Sequence, residues 1–209
     1  MSFNPVDIIS LIFIYVVAIT IHEYSHAAAS NALGDPTARH EGRLTLNPVA
    51  HIDPLTTLAL PILLILAGSP VIFGAARPVP FNPYMVRYGK KGAALVALAG
   101  PASNILLAII VALIIRLAPS LLTAGGGLLL SMITVNLALA LFNLIPIPPL
   151  DGSRVVYAFV PAKVQEVMER FEQSGPLVIF LFLILAFPFI SPFLGTAVRG
   201  ITRFLLIGI

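Results

Sequence analysis

The chain has no cysteine among its 209 residues. That excludes disulfides, thiolate metal ligands and a cysteine nucleophile, and leaves the redox compartment open. Charge is scarce as well: Asp, Glu, Lys and Arg together make up 10% of the chain, against roughly 25% in soluble domains. Internal repeats, low-complexity tracts and linkers are missing. The opening "MSFNPVD" lacks a basic stretch and no A-x-A-like site closes a short apolar run, so a signal peptide is not expected. Length and continuity predict one integral-membrane domain over 1–209, with a core at 6–154 and C-terminal helices at 155–209.

What fills the chain instead is apolar. Hydrophobic residues make up 58%, and uncharged runs recur at 8–21, 55–73, 92–115, 117–150 and 174–198. Crossing a bilayer takes about 20 apolar residues, so an all-α polytopic membrane protein with the bilayer as its surroundings is expected. The net charge of +3 reflects Lys and Arg flanking membrane segments and not a nucleic-acid surface.

The first segment runs from Val6 to Leu33, where Gly34 is a natural stop. In the following loop the alternation of Arg43, Leu44, Thr45 and Leu46 predicts a short strand. Segment two, 55–73, carries Pro61 and closes on Gly68 and Pro70. A basic stretch, 74–92, leads to segment three at 93–116, and a glycine-rich loop to segment four at 128–145. Residues 161–173 have the pattern of an amphipathic helix, and segment five covers 175–190. Arg199 and Arg203, four apart in the apolar stretch 193–209, suit a helix lying at the interface.

Segment one ends in "HEYSH". His22 and His26, four apart, project from one helical face. Two imidazoles so placed can hold one Zn²⁺ at about 2.0–2.1 Å. Glu23 lies beside that face, placed to act on water rather than on the metal. Composition alone produces H-E-x-x-H in roughly two such chains per thousand, so the signature is specific. The bland alternative, polar residues at a wet helix end, is weaker because ionisable groups in a membrane segment are costly.

A catalytic zinc wants three protein ligands and an open position. The candidates for the third are His40, Glu41, His51, Asp53 and Asp151. Asp151 is favoured, because Pro146, Pro148 and Pro149 forbid a regular helix before it, and broken backbone at membrane depth is tolerated only against protein or a wet cavity. Its plain alternative is a turn aspartate before Gly152. Asp53 before Pro54 suits a helix cap, and His40 and Glu41 suit a loop. His51 is a candidate for orienting a ligand or substrate.

"HEYSH", "AGPASN" (99–104) and "NLIPIPPLDG" (143–152) together resemble the site-2 protease family of intramembrane zinc metalloproteases. "LTLNPVAHIDP" and "ARPVPFNP" resemble its small branch without PDZ or CBS domains, though Thr56 stands where that branch would have glycine. The resemblance covers nearly the whole chain. It implies a site-2 protease-like helical core, His22, His26 and Asp151 as ligands of one zinc ion per chain, and Glu23 as catalytic base. It also implies hydrolysis of peptide bonds in transmembrane protein substrates, within or near the bilayer, as in regulated intramembrane proteolysis.

Zinc geometry constrains the topology. His22 lies roughly 24 Å along the helix from Val6, nearer the far face of a core about 30 Å thick. Asp151 must reach the same face. It does so if 55–73 is re-entrant, and not if that segment crosses fully. The re-entrant arrangement puts 9 Lys and Arg on the zinc face and 3 on the other, whereas full crossing puts 7 against 5. Positive-inside logic then makes the zinc face cytoplasmic in a prokaryotic cell membrane. Pro78 and Pro80 suit an edge strand beside which an extended substrate could lie. Asn104 and Asn143 are candidate donors to substrate or oxyanion, or else hydrogen bonds between segments three and four. The alternative function is a membrane zinc transporter or zinc-binding scaffold. Against transport, segments three and five carry no acidic residue or histidine.

Overall fold

A computed structural model describes residues 5–59 and 76–207. The long apolar runs form helices α1 (Pro5–Ala32), α2 (Lys90–Leu117) and α3 (Leu121–Asn143). Shorter α4 (Asp151–Tyr157) and α5 (Ala162–Gln173) follow, and α6 (Pro176–Leu205) closes the chain. Among the described residues, four helices are long and apolar enough to span a membrane: Ile8–Ala32, Lys90–Leu117, Gly126–Asn143 and Leu181–Leu205. The chain is a multi-pass membrane protein.

Helices α1, α2 and α3 pack as successive antiparallel neighbours, and α6 lies on α3. Their shared core joins Ala108, Val111, Ala112 and Ile115 of α2 to Ile133 and Leu137 of α3 and Val198 of α6. Alanines on α2 let the backbones approach, as membrane helix pairs require in the absence of a hydrophobic driving force. Large side chains such as Leu113, Leu185, Phe189 and Phe193 are exposed, which fits surfaces that meet lipid.

Three expectations change. Helix α3 begins seven residues earlier than predicted and absorbs Gly125, Gly126 and Gly127. Glycine costs a helix about 1 kcal/mol, less than leaving backbone groups unpaired in an apolar medium. Segment five and the predicted interfacial helix are one continuous helix, α6, through Pro188 and Pro192. Arg199 and Arg203 sit near its C-terminal end, where long side chains can reach the headgroups.

The predicted β element does not form among the described residues. Residues 43–46 are irregular, with a bend at 44–45, because their polar groups find local partners. The Arg43 guanidinium donates to the Ala50 carbonyl, His51 Nε2 to the Thr45 carbonyl at 2.8 Å, and Val49 N–H to Asn47 Oδ1 at 3.1 Å. Residues 76–82 form no regular secondary structure and pair with no strand among the described residues.

The re-entrant path expected for 55–73 falls largely on 60–75, outside the described residues. Its flanks lie side by side: a single turn at Pro54–Ala59 leads in, and on the way out Arg77 N–H donates to the His51 carbonyl at 2.9 Å. Arg87 N–H then bonds the Leu33 carbonyl at 2.8 Å, so α2 starts at the end of the bundle where α1 stops. At the opposite end, the Arg116 guanidinium donates to the Ile207 carbonyl at 2.6 Å.

Candidate metal centre

Two helices and one break in a third build the site. His22 and His26 leave α1 one turn apart and face α2. At their level α2 carries Gly100, where a Cβ would lie 2.4 Å from His26 Nε2 and 2.6 Å from His22 Nε2. Only glycine leaves room for both imidazoles. Asp151 arrives through the proline-rich turn after α3, as the first residue of α4. That turn is tight: a Cβ on Gly152 would lie 2.1 Å from the Leu144 carbonyl oxygen.

The three side chains converge. His22 Nε2 and His26 Nε2 are 3.0 Å apart, and they lie 3.2 and 3.3 Å from Asp151 Oδ2. Four ligands set tetrahedrally at zinc–nitrogen and zinc–oxygen distances stand about 3.3 Å from one another, so the observed triangle has the right size. Its chemistry also fits. His26 Nδ1 faces the Val96 carbonyl at 2.7 Å and His22 Nδ1 faces Asn104 Oδ1 at 2.7 Å. Both oxygens can only accept, so each neutral ring carries its proton on Nδ1 and turns an Nε2 lone pair inward. Asp151 Oδ2 is buried and has no hydrogen-bond partner. Three electron-rich atoms facing one another without a donor are a site for a cation.

Glu23 is buried beside this triangle but is not one of its corners. Its Oε2 accepts from Val79 N–H at 3.1 Å, which draws the stretch 76–82 across the site. Together they bound a cleft of about 390 Å³, lined by apolar side chains such as Ile19, Leu139, Phe142 and Phe187.

Of the remaining sequence candidates, Asn143 lines this cleft, its Nδ2 donating to the Leu139 carbonyl at 3.0 Å. Asn104 is not part of that lining. It is fully buried behind His22, and its Nδ2 donates to the Ala18 carbonyl at 3.1 Å and to Asn136 Oδ1 at 2.9 Å. Of its two readings, this placement matches the interhelical one. His51 is also fully buried but belongs to the 43–52 loop, where it bonds Thr45 and Arg77; it does not orient His22, His26 or Asp151. His40 and Glu41 close a one-turn helix, Thr37–His40, in the loop predicted for them.

Residues not anticipated are Asn136, Arg154 and Asp35. An asparagine inside an apolar run and an arginine one turn after Asp151 were the signals for the first two. Arg154 lines the cleft with its guanidinium 5.3 Å from the centre of the Phe81 ring. Asp35 is buried and ties Asn82 N–H to the end of α1 at 2.7 Å, which anchors the 76–82 stretch.

Residues 123–187 match the profile described as peptidase family M50. The chain is 40% identical over 181 residues to a Bacillus subtilis protein that bears the provisional name zinc metalloprotease YwhC, covering 83% of this chain and 78% of the relative. It is 31% identical over 180 residues to a Mycolicibacterium smegmatis protein provisionally named zinc metalloprotease Rip2, covering 83% of this chain and 68% of the relative. A Rip2 of Mycobacterium tuberculosis is similar at 31% over 176 residues, covering 82% of this chain and 65% of the relative. No solved structure matches the chain at a significant level.

Proposed function

The chain belongs to peptidase family M50, the site-2 proteases, and is an intramembrane zinc metalloprotease; from that premise we propose that His22, His26 and Asp151 hold one zinc ion per chain and that Glu23 is the catalytic base. The observation that carries this reading is the triangle of Nε2, Nε2 and Oδ2 atoms, with two lone pairs fixed inward by their Nδ1 partners. When bound, zinc supplies a Lewis acid that polarises the scissile carbonyl and lets water give up a proton near neutral pH.

The protein's own groups do the rest. The Val79 N–H holds Glu23 Oε2, so Oε1 is the atom left to take the proton from water. Glu23 then returns that proton to the leaving amine as the C–N bond breaks. Asn143, at the cleft wall, is placed to donate its second amide hydrogen to the substrate backbone. The apolar lining keeps bulk water out and strengthens these contacts.

The substrates on this reading are transmembrane segments. A helical peptide bond is shielded by its own hydrogen bonds, so the substrate must lie extended when it is cut. The stretch Ala76–Asn82 borders the cleft and bonds Glu23 through Val79, so it is the neighbour beside which such a substrate would lie, although Pro78 and Pro80 have no N–H to give. The metal end of the bundle gathers nine of the twelve Lys and Arg residues, which by positive-inside logic supports a cytoplasmic orientation in a prokaryotic cell membrane.

The test is cleavage of a tagged single-pass membrane protein by the purified chain in liposomes. Wild type should cut, lose activity to a chelator and regain it with zinc, while Glu23→Gln should not cut. Equal cleavage by both would overturn the assignment.

A further inference from the structure

Asn136 sits two helical turns before Asn143 on α3, and it is 2% exposed. Its Nδ2 donates to the Met132 carbonyl one turn back at 2.9 Å. That leaves its Oδ1 facing α2, where it accepts from Asn104 Nδ2 at 2.9 Å. The same Asn104 Nδ2 donates to the Ala18 carbonyl of α1 at 3.1 Å, and Asn104 Oδ1 faces His22 Nδ1 at 2.7 Å.

An amide's oxygen and nitrogen ends have nearly the same shape, so its orientation must be read from its partners. Here the partners settle it. Met132 and Ala18 contribute backbone carbonyls, which only accept. Asn136 must therefore turn its NH₂ to Met132 and its oxygen to Asn104. Asn104 must turn its NH₂ to Ala18 and Asn136 and its oxygen to His22. Reversing Asn104 would set an oxygen against two acceptors inside an apolar bundle and would point its NH₂ at His22 Nδ1. His22 could then meet that donor only by moving its proton to Nε2, the nitrogen that faces His26 and Asp151.

We propose that Asn136 is a positioning residue for the metal centre: through Asn104 it keeps the His22 proton on Nδ1 and the Nε2 lone pair free for the metal. The proposal rests on the reading of His22 as a zinc ligand. A chain of one-way hydrogen bonds thus runs across three helices, from a backbone carbonyl of α3 to a ligand on α1. A purely architectural role would require only that the helices be tied together, whichever way the amides point.

The experiment compares wild type, Asn136→Leu, Asn136→Asp and His22→Ala, as full-length chains in nanodiscs. Leucine keeps the volume and removes the acceptor. A neutral aspartic acid can donate to Met132 and still accept from Asn104, so it preserves the direction of the chain. One measurement is zinc retention against a competing chelator. The other is ¹⁵N NMR of histidine-labelled, metal-free protein, which reports the ring nitrogen that carries the proton. Asn136→Leu should bind zinc about 10–100-fold more weakly, the usual effect of losing a group behind a metal ligand, and should place part of His22 in the Nε2–H form. Asn136→Asp should stay close to wild type in both.

Wild-type affinity in Asn136→Leu, an unchanged His22 tautomer, or equal losses in the leucine and aspartate variants would each overturn the proposal. So would a metal-free wild type whose His22 is mainly Nε2–H, a result that needs no variant to fold. His22→Ala separates the two levels. If it retains zinc, the ligand reading itself fails. If it loses zinc while Asn136→Leu behaves as wild type, only the role of Asn136 fails.

Discussion

Glu23 on α1 and Val79 in the 76–82 stretch are joined by a hydrogen bond of 3.1 Å between carboxylate Oε2 and backbone N–H. The bond spans 56 residues of sequence and fixes the carboxylate next to the metal triangle without making it a corner. Glu23→Gln tests what that placement means. Glutamine keeps the size and an oxygen for Val79, but it cannot take a proton. Zinc content should stay at the wild-type level while turnover falls about 10²–10⁴-fold, the usual worth of general acid–base catalysis. The variant should also retain uncut substrate on purification. Loss of zinc from it would make Glu23 a ligand or a structural group.

Gly100→Ala tests the contact between the imidazoles and α2. Glycine to alanine inside a helix ordinarily gains up to about 1 kcal/mol. Here the new Cβ would lie 2.4 Å from His26 Nε2, so one ring or the helix must move. Helical content by circular dichroism should be retained while zinc per chain falls. A stoichiometric zinc content in the alanine variant would show that the rings tolerate displacement and that Gly100 is not part of the site's construction.

How far the sequence carried can be read from particular residues. His22, Glu23 and His26 lie within five positions on one helix, so their shared location follows from helical periodicity alone. Asp151 was reachable because three prolines and an apolar run left few places for a carboxylate to go. Asn104 was visible as a polar residue in a membrane segment, but its role was not. Whether an asparagine faces a cleft or a neighbouring helix depends on the rotation of α2 against α1 and α3, which no local pattern encodes. The partners of His51 were illegible for a similar reason: they are Thr45 and Arg77, and the second comes from the far side of segment 55–73. The strand expected at 43–46 gave way to side-chain hydrogen bonds, which alternation of apolar residues does not register.

Asp35 predicts a pH dependence of stability. Burial pushes its carboxyl pKa up, but hydrogen bonds from Thr37, from Asn82 N–H and from Ser30 outweigh that and hold it below its ordinary value. A carboxylate whose folded-state pKa is depressed stabilises the fold above its unfolded pKa, about 3.9, and loses that contribution as pH falls through the folded value. Asp35→Asn should therefore destabilise the chelated protein at pH 7 by about 2 kcal/mol, the worth of charged hydrogen bonds, read as a fall in Tm. The gap from wild type should narrow below about pH 4. A gap that stays constant down to pH 3 would mean that charge on Asp35 is not what holds Asn82.

Asp151→Asn and Asp53→Asn, compared directly, test the choice of carboxylate. Asp151 Oδ2 lies 3.2–3.3 Å from both histidine Nε2 atoms. Asp53 sits instead at the start of the Pro54–Ala59 turn, where its N–H donates to Thr57 Oγ1 at 2.9 Å. Equilibrium dialysis against a zinc buffer should show a much larger loss of affinity for Asp151→Asn. The reverse order would move the third ligand to the other end of segment 55–73.

The absence of cysteine makes the orientation directly testable, because single-cysteine variants label without background. Tyr84 and Phe159 are 96% and 70% exposed, and both lie toward the metal end of the bundle. Leu117 is 87% exposed at the opposite end, next to Arg116, which reaches the Ile207 carbonyl at the close of α6. With the basic end in the cytoplasm, a membrane-impermeant maleimide applied to intact bacterial cells should modify Leu117→Cys. It should reach Tyr84→Cys and Phe159→Cys only after the membrane is permeabilised. The opposite pattern would invert the protein and place its chemistry outside the cell. Labelling of Tyr84→Cys and Phe159→Cys from different sides would do more damage. The chain between them contains α2 and α3, two spanning helices that return it to the face it left. A split between those sites would mean that one of the two does not cross. Asp151 would then be carried away from His22 and His26, and the triangle could not exist in the membrane.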